Sequence, residues 1–409
     1  VATKDKAYTC GAACVFFLFQ NKPNPLYFHA LYSKDFREDK TMKIGVPAEI
    51  KNNENRVGLV PAGVRQLVQD GNELFIETNA GMGIGIDDEE YITAGAQILP
   101  SLEAVFETAT MIIKVKEPQA REVALLKPHH ILYTYLHLAA EKELTEGLMK
   151  SGSTCVAYET IQMPNGSLPL LLPMSEVAGR MATQIGAAYL QKEKGGKGVL
   201  LGGVPGVKRG KVTVIGCGVA GTNAIKMAMG LGADVTAIDL NVHRLAEMDD
   251  LFDTRITTLF SNTQNIEEAV IQSDLVIGAV LVPGAKAPKL VTREMISQME
   301  PGSVVVDIAV DQGGCIETCK PTTHQEPTFL VDGVIHYCVA NMPGAVARTS
   351  TYALTNVTLK YARMIAKLGV EEAASMDPVF RPGINIYKGD LVYEQVAKDL
   401  ELKYTPLKI

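Results

Sequence analysis

Four polar residues stand where apolar runs end: Arg56 in the loop after "KIGVPAE", Lys116 closing "MIIKVK", His137 closing "HILYTYLH", and Asp311 after "VVVDIAV". The chemistry these types offer together is specific. Two cations suit a substrate carboxylate, and an imidazole with an ordinary pKa of about 6.5 can carry a proton near neutral pH. A second carboxylate can orient what the imidazole serves. Each also has a plain reading. His137 fits a core histidine with a satisfied hydrogen bond, Arg56 and Lys116 fit surface charges, and Asp311 fits a cap on the turn into "QGG". The two-residue period puts Tyr133, Tyr135 and His137 on one face of a strand, with Leu132, Thr134, Leu136 and Leu138 on the other. That pattern leaves His137 at the strand mouth.

The elements that must position these residues come in two alternating series. From Met42, runs such as "KIGVPAE", "LFIETNA", "MIIKVKE", "HILYTYLHL" and "TCVAYETI" read as strands. Between them "PAGVRQLVQDGN", "DEEYITAGAQIL", "SLEAVFETA" and "AEKELTEGLMKSG" carry helical spacing and often end at Gly. The helical pattern "SEVAGRMATQIGAAYLQKEKGG", with Ser175 as its expected N-cap, reads as a connector between domains. A second series follows: "KVTVIG", "DVTAID", "RITTLF", "DLVIGAV" and "SVVVDIA". The long helix "VARTSTYALTNVTLKYARMIAKLG" and polar segments that return to the first domain complete the chain. Alternation of this kind predicts an α/β fold of parallel βαβ units, in which ligands gather beyond the carboxyl ends of the strands. "LLGGVPGVKRG" lacks the Gly-Lys-Ser/Thr ending of a nucleotide P-loop and reads as a turn.

In the second series, "KVTVIGCGVAGTNAIKMAMGLGADVTAIDLN" has the parts of a dinucleotide turn. Gly216 permits a tight turn, Gly218 lets backbone approach a pyrophosphate, and Gly221 allows close helix packing. The helix start offers amide donors to phosphate. Asp239, at the end of the next strand, suits an adenosine ribose and favours NAD; a 2'-phosphate would meet like charge there, although Arg244 is near. Beside a nicotinamide, the strand-end set would couple proton transfer to hydride transfer on a small carboxylate substrate.

Composition narrows the partners. The 409 residues are 47% hydrophobic and 21% charged, and 39 basic against 46 acidic residues give a formal charge of -7. No basic block tracks a phosphate backbone, so nucleic acid is not an expected partner. No run approaches the roughly 18 apolar residues of a membrane span. Seven cysteines form no recognisable framework, and Cys315 and Cys319 lack a second pair to complete a zinc site. No metal is expected, and reduced thiols imply the cytoplasm. Residues 1–41 read as a leader or extension outside the fold.

The stretches "MKIGVPAEIKNNENRVGLVPAGV", "KVKEP", "LYTYLHLAA", "SEVAGRMATQIGA", "LLGGVPGV", "VIGCGVAGTNA", "VDIAVDQGGCIET" and "ANMPGAVARTSTYALTN" resemble the alanine dehydrogenases of the alanine dehydrogenase/transhydrogenase family. The resemblance runs from Met42 almost to the C-terminus. It implies two Rossmann-like doubly wound domains joined by long helices, with an NAD-binding domain (171–346) inserted in a discontinuous substrate domain (42–170 and 347–409). It implies reversible NAD-dependent deamination of L-alanine to pyruvate and ammonium, in a subunit that assembles as a homohexamer. By resemblance, Arg56 and Lys116 hold the substrate, while His137 and Asp311 are catalytic. Ser175, Gly216, Gly218, Val219, Ala220, Gly221, Asp239, Arg244 and Ser261 are the implied NAD contacts, with Asn341 and Met342 near the nicotinamide. Cys319 departs from the small hydroxyl residue common in the family. Two other readings stay open. The nucleotide-binding part of a proton-translocating transhydrogenase would need membrane partners, and an NAD-binding regulatory module would bind without turnover.

Overall fold

A computed structural model describes residues 41–280, 287–310 and 313–409. Most of the expected leader, and Asp311, lie outside the described residues. The first sheet contains β1 (Lys43–Val46), β2 (Glu73–Glu77), β3 (Gln97–Leu99), β4 (Met111–Ile113), β5 (Ile131–Thr134) and β6 (Thr154–Ala157). The second contains β7 (Lys211–Ile215), β8 (Asp234–Asp239), β9 (Thr257–Phe260), β10 (Leu275–Gly278), β11 (Val304–Asp307), β12 (Thr328–Val331) and β13 (Val334–Tyr337). The chain then returns to the first sheet with β14 (Ile384–Tyr387) and β15 (Asp390–Leu391).

Both sheets have the same inner order. The first runs β3-β2-β1-β4-β5-β6, extended by antiparallel β14 and β15; the second runs β9-β8-β7-β10-β11-β13, extended by antiparallel β12. The order reverses between β1 and β4 in one sheet and between β7 and β10 in the other, and doubly wound sheets open a crevice at such a point. The loop carrying Arg56 follows β1 and Lys116 follows β4, so both belong to one switch point. The α/β, doubly wound fold read from the sequence is the fold observed.

Buried Leu132, Leu136 and Leu138 pack in one apolar cluster, while Tyr133 and Tyr135 pack in a second. That second cluster continues through Met174 and Met181 of the helix Leu172–Tyr189 to Val212 and Val214 under the second sheet. The joint between helices is close. A Cβ on Gly179 would run into the Ala220 carbonyl oxygen of the helix Val219–Gly230. Gly179→Ala should therefore cost about 1–3 kcal/mol through overpacking of backbone against backbone. A melting temperature equal to the parent's would refute that contact.

Several expected elements differ. "DEEYITAGAQIL" is not one helix: Asp88–Thr93 is helical, Gly95 turns at φ 103°, and Gln97–Leu99 forms β3. Ser175 is not an N-cap, because the helix begins at Leu172 with Leu171 before it and Pro in its first turn, leaving Ser175 the fourth helical residue. Regular pairing of β5 stops at Thr134, and His137 sits beyond it at φ 52°, ψ 35°. The long helix, by contrast, ends its first run where the sequence put it: the helical stretch from Ala347 breaks at Gly369, whose φ is 74° and ψ 171°, and a further stretch continues to Met376.

Candidate active site

Past the end of β4, Lys116 comes up beside the residue that follows β5. Its Nζ lies 3.4 Å from His137 Nε2. The His137 ring stacks on Tyr135 at 5.8 Å with 11° between planes, and the Tyr135 hydroxyl is anchored by donating to Leu170 O at 2.6 Å. Burial lowers the Lys116 pKa, Glu117 opposes that, and the Arg56 and Lys51 charges lower it further. An ammonium under this pressure gives up its proton more readily than a free one.

Arg56, expected as a possible surface cation, is only 2% exposed. Its Nε and Nη2 donate to Glu54 Oε1 and Oε2 at 2.7 and 2.6 Å. Nη2 also donates to Asn341 Oδ1 at 2.8 Å, and Nη1 meets Met174 Sδ at 3.1 Å. Burial pushes the Glu54 carboxyl up, but the Arg56 hydrogen bonds and charge outweigh it and hold it below the usual range. Asn341 follows β13, so it brings the second sheet's strand-end segment onto Arg56; its own backbone is left-handed at φ 63°. Met342, next to it, is buried.

Charges of both signs surround Lys116. Arg56 and Lys51 add two cations, while Glu54 and Glu117 supply two carboxylates, Glu117 pairing with Lys51 and lying 3.9 Å from Lys116. A small carboxylate entering here would meet cations, provided it finds donors as well as field.

Strand-end amides are satisfied by carboxylates. Glu49 Oε1 accepts from Val115 N at 2.6 Å and Lys116 N at 3.4 Å, and its other oxygen takes the Lys114 ammonium at 2.9 Å. Lys114 also pairs with Glu122 Oε1 at 2.6 Å, and all three side chains are essentially excluded from water. Two carboxylates thus share one buried ammonium. Burial raises the Glu49 pKa against the Lys114 charge, with Glu122 adding to the rise.

In the second sheet, Gly216 turns at φ 93°, and a Cβ on Gly221 would run into the Gly216 carbonyl oxygen. Open space surrounds Gly218 where a side chain would project. Gly218 is also the N-cap of the helix Val219–Gly230 and offers no side-chain cap. The first-turn amides of Val219, Ala220 and Gly221 therefore have no partner within the helix, which is the condition an anionic pyrophosphate needs. Asp239 accepts from Cys217 N at 2.7 Å and Asn241 N at 2.8 Å, which fixes its carboxylate beside the turn. Ser261 follows β9 and its amide donates to Asp239 O at 2.9 Å. Arg244 is drawn inward: Nε donates to Cys217 O and Nη2 to Thr222 Oγ1, both at 2.7 Å, while Nη1 pairs with Glu247. Ser175 is half-buried on the connector helix. These residues fit a dinucleotide.

The structure thus brings Lys116 and His137 together, links Arg56 to Asn341, and gathers the Gly216–Gly221 turn, Asp239, Arg244 and Ser261 separately. Sequence reasoning missed Glu54, Glu117, Lys51 and Glu159. Glu54 alone carried a signal, as an acid two residues before Arg56. Among the described residues no cluster of His, Cys, Asp or Glu could hold a metal ion, and no helix is long and apolar enough to cross a membrane.

Comparison with known proteins agrees in both halves. The family model "Alanine dehydrogenase/PNT, N-terminal domain" matches residues 45–178, and "Alanine dehydrogenase/PNT, C-terminal domain" matches 182–394. Alanine dehydrogenase of Methanococcus maripaludis is 57% identical over 366 residues, covering 89% of this chain and 98% of the relative. Alanine dehydrogenase of Bacillus subtilis is also 57% identical over 366 residues, covering 89% and 96%. A solved L-alanine dehydrogenase superposes with a TM-score of 0.86 at 53% identity, covering 88% of this chain and 99% of that one. The transhydrogenase of Sinorhizobium meliloti reaches 0.73 at 28% identity, covering 86% and 98%. With its own Rossmann turn and strand-end site in both matched halves, the chain belongs to the alanine dehydrogenase/PNT family.

Proposed function

We propose that this protein is an NAD-dependent L-alanine dehydrogenase that interconverts L-alanine with pyruvate and ammonium. The observation that carries the reading is the closeness of Lys116 Nζ to His137 Nε2 at 3.4 Å, with the Arg56 charge near enough to act on Lys116. Such a site binds a small carboxylate and moves a proton next to it. Arg56 and Lys116 bind the alanine carboxylate and orient C2. When bound at the Gly216–Gly221 turn, NAD supplies the hydride acceptor. His137 then takes a proton from the water that adds to the imine carbon and returns it as ammonium leaves; Asp311 orients that water or the imidazole. Ser175, Ser261, Asn341 and Met342 complete the cofactor contacts in this reading. The inward pairing of Arg244 leaves Asp239 to meet the ribose, which supports NAD over NADP.

A homohexamer working in the cytoplasm belongs to the same proposal. Exposed Leu200 and Leu231 line a largely apolar cavity of about 840 Å³ together with Leu201 and Met227, a surface that a second copy would cover. The described cysteines are free. The deciding assay adds amino acids to the protein with NAD or NADP and follows NADH or NADPH absorbance. L-alanine with NAD should give the fastest rise. NAD binding without turnover of alanine would make the chain a regulatory module instead.

A further inference from the structure

Strands β5 and β6 run parallel, with Thr134 opposite Ala157 as their last pair. Beyond that pair the amides of Leu136 and His137 have no strand to donate to. Glu159 lies just after β6, in the single turn Tyr158–Thr160, and its carboxylate reaches under the open end of β5. Oε1 accepts from Leu136 N at 3.0 Å and from His137 N at 2.6 Å; Oε2 lies 3.3 Å from Leu136 N. Hydrogen bonds from amides to an ionised acceptor are the strong kind.

The bond to His137 matters because of the backbone it holds. His137 is left-handed, at φ 52° and ψ 35°, a conformation that a non-glycine residue keeps only when its surroundings hold it there. This turn sends the ring along Tyr135 and puts Nε2 beside Lys116. An extended residue at 137 would continue the strand and carry the imidazole elsewhere. We infer that Glu159 is the positioning residue for His137, fixing the turn that aims the imidazole at Lys116 and the substrate. It acts through two backbone amides, as Glu49 does for the amides of Val115 and Lys116 on the neighbouring strand. The inference rests on the proposed role of His137 in proton transfer.

Steady-state kinetics of the full chain with L-alanine and NAD test it, using Glu159→Ala, Glu159→Gln, His137→Ala and the double variant. Glu159→Ala should lower kcat by at least about 10-fold, since a misaimed catalytic group can lose up to about 100-fold. KM for alanine and the Kd for NADH should stay within about twofold, because Glu159 works through the His137 backbone and is none of the proposed alanine or NAD contacts. The Gln carbonyl oxygen accepts the same amides, so Glu159→Gln should recover most of the rate. The double variant should be no slower than His137→Ala, as expected when one residue works through another. If Glu159→Ala does not fold, Glu159→Asp replaces it: the shorter acid keeps charge but loses reach, and should be slower than Glu159→Gln. A wild-type kcat in Glu159→Ala, a rise in KM alone, Asp outperforming Gln, or additive losses would each overturn the inference. His137→Ala turning over normally would end the underlying reading, whereas a slow His137→Ala beside a fast Glu159→Ala ends only this one.

Discussion

His137→Ala is expected to lower kcat for alanine oxidation by about 10²–10⁴-fold, the usual worth of a positioned acid–base group, while NADH binding survives. The contrast with His130, seven residues earlier in the same run, explains why one histidine carries this effect. His130 is spent on structure. Its Nδ1 accepts from Lys127 N at 2.9 Å, its Nε2 lies 2.9 Å from Phe106 O as donor, and burial pulls its pKa down to about 4. A neutral ring with both nitrogens committed has no proton to exchange. At His137, by contrast, the neighbour of Nε2 is the Lys116 ammonium. While that ammonium donates, Nε2 must accept, so a neutral ring keeps its proton on Nδ1. A proton arriving from substrate water can then be held at Nε2 only as the Lys116 contact rearranges. His130→Ala, measured alongside, should cost stability and leave kcat within a few-fold of the parent. Equal kcat in parent and His137→Ala would remove His137 from the reaction.

The contrast also marks what a sequence can say. Period-two alternation placed Tyr133, Tyr135 and His137 on one face, and Tyr133 and Tyr135 do pack together opposite Leu132, Leu136 and Leu138. The glycine turn was readable because its constraint is local: φ at Gly216 and the approach of Gly221 to Gly216 involve neighbours in the chain. Other contacts that build the site are not local. Glu117 reaches Lys51, and Arg56 reaches Asn341, across 66 and 285 positions. Nothing in composition or spacing announces such a meeting. Gly179 is invisible for the same reason, since its close neighbour is Ala220.

Other omissions were avoidable. "FLVDGVIHY" has the Asp-Gly dipeptide between alternating apolar residues that marks a tight hairpin, and β12 and β13 pair there, with Asp332 at φ 50° and Gly333 at φ 84°. Gly95 likewise announced the end of the helix before β3. The Ser175 cap failed for a different reason: a good capping residue also fits inside a helix when Pro173 lets the helix begin earlier.

The second large effect is expected from Arg56→Lys, an exchange that keeps the charge. A guanidinium has five N–H donors in a rigid fork. Here Nε and one Nη2 proton are fixed on Glu54, the other Nη2 proton is fixed on Asn341, and Nη1 faces the weak acceptor of Met174. The Nη1 edge is therefore the part with capacity left for a substrate carboxylate. A lysine ammonium cannot span Glu54 and Asn341 and also present such an edge. It would settle on Glu54, and the contact between the two sheets' strand-end segments through Asn341 would loosen. The expected result is a KM for alanine raised by 10-fold or more, from loss of about 1.4 kcal/mol or more of charge-assisted hydrogen bonding. Arg56→Met should do worse in a second way. It leaves Glu54 buried without its cation, a change that costs about 3–5 kcal/mol when one member of a buried pair is removed. Denaturant melts separate the two: Lys should keep most of the stability and lose affinity, whereas Met should lose both. Glu54→Gln combined with Arg56→Met should regain part of the stability and none of the affinity, because it removes the stranded charge without restoring a fork. If Arg56→Lys bound alanine as the parent does, the Nη1 edge would not be the substrate contact, and Lys116 would have to hold the carboxylate alone.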